Sequence, residues 1–171
     1  MEERSVDVDA VCASSSQDTP SLGAWEECSP CCDAVRLLNC TFEEIHGYDG
    51  MVLLRGIAVR LHSGADAQGV AHVAYLPDRC VVGISKLARL VDSSAHHCQS
   101  QERLTVRIAD GIASALRPRG VGVVVEMAHG GLHGDLHLTT SRMLGAFRTD
   151  PDLRSEFRGL IRCWSAADHT R

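Results

Sequence analysis

From Met51 onward the chain moves between two hydrophobic rhythms. In MVLLRGIAV (51–59) apolar residues, several of them β-branched, run almost unbroken, and in VAHVAYLP (70–77) apolar positions recur around Val70, His72, Val73 and Tyr75. Both patterns predict strands. The intervening HSGADAQG (62–69) is built of turn-forming residues, so the two strands are expected to form a hairpin. The period then lengthens. Ile84, Leu87, Leu90 and Val91 recur at helical spacing, as do Leu104, Ile108, Ile112 and Leu116, with Pro118 as a stop. Ser100 is positioned to cap the second of these helices, and Glu102 falls in its first turn, where the helix dipole favours a carboxylate. GVGVVVEMAH (120–129) and LHLTTSRMLGAF (136–147) return to strand patterning across the glycine-rich GGLHGD. Asp150 and Pro151 open a last amphipathic helix carrying Leu153, Phe157, Leu160 and Ile161.

The order is strand, strand, helix, helix, strand, strand, helix. It predicts an α+β fold, a four-stranded antiparallel sheet with helices packed on one face. Upstream, GAWEECSPCCDAVRLLNC (23–40) is interrupted by Pro30 and supports only short helical pieces. Residues 1–22 are rich in Ser, Asp and Glu, lack apolar periodicity, and read as a disordered or loosely attached arm preceding one domain over 23–171.

Composition narrows the function classes. Hydrophobic residues make up 44% of the 171, enough for a buried core. No apolar run approaches the roughly 20 residues needed to span a bilayer, and no secretory leader is visible, so a cytoplasmic protein without a membrane partner is expected. A net charge of −5 with scattered Lys and Arg, and only 4% aromatic residues, argue against a nucleic-acid partner. Cys28, Cys31 and Cys32 form a CxxCC cluster, but no second CxxC or paired His completes a four-ligand set. Reduced thiols are the expectation.

Several stretches together are similar to GTP cyclohydrolase I: TFEE with GYDGMVLLRGI, VAHVAYLP, GISKLARLV followed by CQSQERLT, RIADGIASALRPRGVGVVVEMAH, and TSRMLGAFRTDPDLRSEF. The resemblance covers residues 41–162 and extends more faintly over 18–40. It implies a T-fold subunit whose sheets close into a ring, leaving pockets between subunits and no exposed sheet edge. It also implies a guanine-type purine or pterin as ligand. The family reaction is hydrolytic opening of the GTP imidazole ring toward dihydroneopterin triphosphate, with zinc as cofactor.

Site roles follow residue by residue. Gln101 and Glu102 match the pair that reads the guanine edge, chemistry that suits an amide and a carboxylate; a solvated first turn is the plainer alternative. Ser85 and Lys86 match phosphate-holding positions near a helix start, against a capped helix with a solvated lysine. His129, at a strand end, matches a proton-transferring histidine, and His62 is a second candidate for that work.

The family's zinc set departs from this chain. Its cysteine and histidine between the first two strands face only His62 within RLHSGADAQG, and its second cysteine position is Gly131. Asp135 stands about where a triphosphate-binding arginine belongs. His62, His129, His133 and His137 could form a replacement imidazole site or simply be loop histidines, and no metal ligand is assigned among them. Two functions remain open: hydrolytic ring chemistry on a guanine-related compound, or a non-catalytic ring-binding or co-assembling subunit.

Overall fold

A computed structural model describes residues 30–38, 42–44, 48–61, 67–130 and 136–168. The proposed arm over 1–22 and Cys28 lie outside them. The main sheet is antiparallel, in the order β2 (Val52–Leu61), β3 (Ala67–Leu76), β5 (Gly120–His129), β6 (Leu136–Gly145). A two-stranded piece pairs β1 (Phe42–Glu44) with β4 (Cys80–Val82). Helices α1 (Pro30–Leu38), α2 (Ile84–His96) and α3 (Gln101–Leu116) precede the second half of the sheet, and α4 (Ala146–Thr149) and α5 (Pro151–Asp168) follow it. The expected α+β class and four-stranded antiparallel sheet are both present.

Strand alternation builds two cores. Ala71, Val73 and Tyr75 of β3 and Val121, Val123, Val125 and Met127 of β5 turn one face toward Leu87, Leu90 and Val91 of α2 and Leu104, Ile108 and Ile112 of α3. α2 packs over β2, α3 over β5 and β6, and α1 against both helices. The alternate positions Ala74, Leu76 and Val124 meet Phe147, Phe157 and Ile161, so α5 packs at one end of the opposite face. The rings of Phe147 and Phe157 cross edge to face with centroids 5.6 Å apart.

Two backbone features explain where the observed elements depart from the hydrophobic pattern. LHLTTSRMLGAF does not continue as a strand to Phe147. Gly145 takes φ +56°, a conformation that excludes a side chain there, since a Cβ would lie 2.4 Å from the Arg119 carbonyl oxygen. The chain turns at once into α4. In β2 the pairing with β3 jumps between Leu54 and Ile57, a bulge housing Gly56 at φ +67°. Among the described residues no helix is long and apolar enough to cross a membrane.

Candidate functional site

α3 begins at a cap that the sequence foretold: Ser100 is extended, and its hydroxyl accepts from the Arg103 backbone N–H at 3.3 Å. The first helical residue, Gln101, is therefore delivered onto the sheet beneath it, where it is 2% exposed. Its amide nitrogen donates to the carbonyl oxygens of Val125 and Leu138, each at 2.9 Å, and lies 3.2 Å from Thr140 Oγ1. Its amide oxygen faces His129 Nε2 at 3.0 Å. Thr105, one turn along, donates to the Gln101 carbonyl oxygen at 2.8 Å and touches Thr140 Oγ1 at 2.6 Å. A buried polar cluster thus ties α3 to β5 and β6.

Gln101 was expected to read a guanine edge, but its amide is engaged inside the chain on both its nitrogen and its oxygen. The neighbouring Glu102 is exposed on the first turn of α3. His129 is half-buried at the end of β5 and is held by Gln101. Thr105 and Thr140 had gone unnoticed in the sequence. Their only signal was local, a threonine one helical turn after the glutamine; Thr140 reaches the cluster solely through strand pairing.

Ser85 and Lys86 lie at the start of α2. Gly83 precedes the helix and offers no side chain to cap it, and the Lys86 N–H donates back to the Gly83 carbonyl oxygen at 2.9 Å. Ser85 lines an open groove between α2 and the edge strand β2, together with Leu54, Arg55, Ile57, Ile84 and Arg89. Arg89 is the cation that sequence reasoning missed. It stands four residues after Ser85, the helical spacing that places both on one face.

These pairs do not meet within the chain. Ser85 borders β2 and Gln101 rests on β5 and β6, at opposite edges of the sheet. Strand spacings of about 4.8 Å put the two edges roughly 14 Å apart. They do share one level along the strands, since Ile57 pairs with Ala71, Ala71 with Val125 and Val125 with Thr140.

The histidines separate. His62 and His133 lie outside the described residues. His129 pairs with Leu136 and His137 with Ala128, adjacent positions on both strands, so alternation sends His129 and His137 to opposite faces. No group of three or more His, Cys, Asp or Glu able to hold a metal exists among the described residues. The two thiols described in side-chain detail, Cys80 and Cys98, lie on β4 and just beyond α2, and burial raises the Cys98 thiol above its ordinary value. With Gly131 where the resemblance expects a zinc cysteine, the donors among the described residues do not make up that zinc set.

His72 is a second buried titratable group, 1% exposed on the sheet face away from α2 and α3. Its Nδ1 accepts a long bond from the Gly56 N–H of the β2 bulge at 3.4 Å, and its Nε2 lies 4.0 Å from Glu126. Burial lowers its affinity for a proton, Glu126 opposes that, and Arg55 adds to it.

This capped helix above an antiparallel sheet defines an α+β protein whose candidate site is divided between its edges. Comparison with known proteins supplies the family: the family model for GTP cyclohydrolase I matches residues 24–162. The chain is 42% identical over 157 aligned positions to GTP cyclohydrolase 1 of Maricaulis maris (strain MCS10), covering 84% of this chain and 77% of that protein. It is 41% identical over 134 positions to GTP cyclohydrolase 1 of Hyphomonas neptunium (strain ATCC 15444), covering 73% of this chain and 65% of the relative. The chain belongs to the GTP cyclohydrolase I family. A solved structure described as the archaeosine synthase QueF-Like in the apo form aligns with a TM-score of 0.43 at 19% identity, over 56% of this chain and 95% of that one.

Proposed function

We propose that this chain binds a guanine-type purine or pterin ring in sites assembled between its own subunits, and that it turns over GTP poorly or not at all. Glu102 contacts the ring, accepting from two adjacent N–H groups as a carboxylate can. Ser85, Lys86 and Arg89 of the next subunit receive the phosphates beside an uncapped helix start. His129 is the proton-transfer group, with His62 from the β2–β3 connection as its proposed companion. The observation that carries this reading is the division of the site residues between two sheet edges at one level. Such an arrangement becomes a pocket only when the β6 edge of one subunit lies beside the β2 edge of another. Exposed apolar side chains at both edges, Leu136 and Leu138 on β6 and Ile84 beside β2, support that contact.

The relatives' name, GTP cyclohydrolase 1, points to hydrolytic chemistry on GTP, and the family resemblance implies ring opening toward dihydroneopterin triphosphate. That chemistry needs an activated water, and a zinc ion supplies one by lowering the water's pKa to about 7. The replacement of the second zinc cysteine by Gly131, and the lack of any cysteine between β2 and β3, favour a ring-binding or co-assembling subunit over an efficient hydrolase. Purified full chain mixed with GTP and zinc should form no pterin fluorescence at ordinary enzymatic rates. Formation of dihydroneopterin triphosphate at such rates would overturn the non-catalytic half of the proposal and leave ring binding standing.

A further inference from the structure

We infer that Gln101 is a positioning residue: it fixes His129 as the tautomer protonated on Nε2, which makes Nδ1 the nitrogen that exchanges a proton with a bound ring. This deepens the reading above and rests on it for the ring and for the place of His129 beside that ring.

The amide nitrogen of Gln101 sits 2.9 Å from each of two backbone carbonyl oxygens, those of Val125 and Leu138. Carbonyl oxygens only accept, so the group facing them must be the NH2, and its two hydrogens are both used there. The opposite orientation of the amide would set an oxygen against two oxygens in a site that is 2% exposed, where an unrelieved polar contact is costly. The amide oxygen therefore points at His129 Nε2, 3.0 Å away. An amide oxygen also only accepts, so Nε2 must carry a hydrogen. In the neutral imidazole the lone pair is then on Nδ1, and the working side of the ring is the side turned away from Gln101.

The rest of the cluster makes this preference rigid. Thr105 is anchored by its bond to the Gln101 carbonyl oxygen and lies against Thr140 Oγ1, which in turn borders the Gln101 amide nitrogen. Rotating the amide would break contacts to β5 and β6 at once. The arrangement resembles the way a buried acceptor orients a catalytic imidazole by holding one of its nitrogens. A glutamine at the first position of α3 thus acts on the chemistry through the histidine and not through the ligand.

Long-range nitrogen–proton NMR correlation of the imidazoles in the ligand-free, full-length protein tests this, because the two tautomers give different patterns. His129 is assigned by the signal lost in His129→Asn. The expected result is a single neutral form of His129 protonated on Nε2 in the wild type. In Gln101→Met, similar in volume but with no acceptor for Nε2, a mixture of tautomers should appear. A wild-type His129 protonated mainly on Nδ1, or mixed, overturns the inference whether or not any variant folds. A Gln101→Met protein with the same single tautomer as the wild type overturns Gln101 as its cause. Because the spectra are recorded without ligand, failure of guanosine binding leaves this result intact, and a wrong tautomer leaves guanosine binding intact.

Discussion

At the scale of single residues, two buried polar side chains, Gln101 and His72, carry most of the information. The sequence made Gln101 visible only as half of a Gln-Glu pair at a helix start, and nothing in that pair tells which side chain points inward. The cap at Ser100 decides it, because the phase of α3 then turns the first residue toward the sheet and the second toward solvent. His72 was legible as one position of a strand pattern, and its burial was not, since the face opposite α2 and α3 reads as half polar. Burial lowers its pKa below the ordinary 6.5, outweighing the pull of Glu126 and aided by Arg55. The unfolded chain then binds more protons than the folded one as pH falls below about 6.5, so the stabilising contribution is present above that pH and is lost toward the lower folded value. Urea unfolding at a series of pH values should show stability declining below pH 6.5 more steeply in the wild type than in His72→Gln. Equal slopes would mean that His72 titrates alike in both states.

At the scale of elements, the strands and helices of residues 51–162 followed closely from apolar periodicity, because each buries a face with its own period. What the periodicity missed is set by backbone geometry. The three-residue strands β1 and β4 are too short to show a period, the β2 bulge needs Gly56, and the end of β6 needs Gly145 to leave the sheet beside Arg119. The end of α3 carries a related cost. Arg117 caps it at φ +44°, the left-handed region, where a Cβ is unfavourable, and Pro118 follows. Arg117 is exposed, so its side chain contributes little packing. Arg117→Gly should raise stability by roughly 0.5–1 kcal/mol in urea unfolding, the relief of left-handed strain less the entropy glycine adds to the unfolded chain. Phe157 makes the opposite case. Fully buried against Phe147, it fastens α5 to the sheet, and Phe157→Ala should lose about 3–5 kcal/mol by the same measurement.

At the scale of the whole molecule, the sequence named Ser85, Lys86, Gln101, Glu102 and His129 but could not place them, because sequence order says nothing about which edge of a sheet a helix covers. The strand order does. With β2 and β6 at the two edges, α2 and α3 hold their first turns on opposite sides, and the proposed site, using both, draws on two subunits. Glu102→Ala should weaken guanosine triphosphate binding by roughly 1.5–3 kcal/mol, the range for a hydrogen bond to a charged group, and Lys86→Ala should weaken it separately. The most direct test of a shared site is calorimetric titration of guanosine triphosphate into oligomers reassembled from equal amounts of Glu102→Ala and Lys86→Ala chains. The account predicts that a fraction of sites returns with wild-type affinity, because an intact Glu102 from one chain then meets an intact Lys86 from its neighbour. Mixed oligomers in which every site stays as weak as in the separate variants would contradict it.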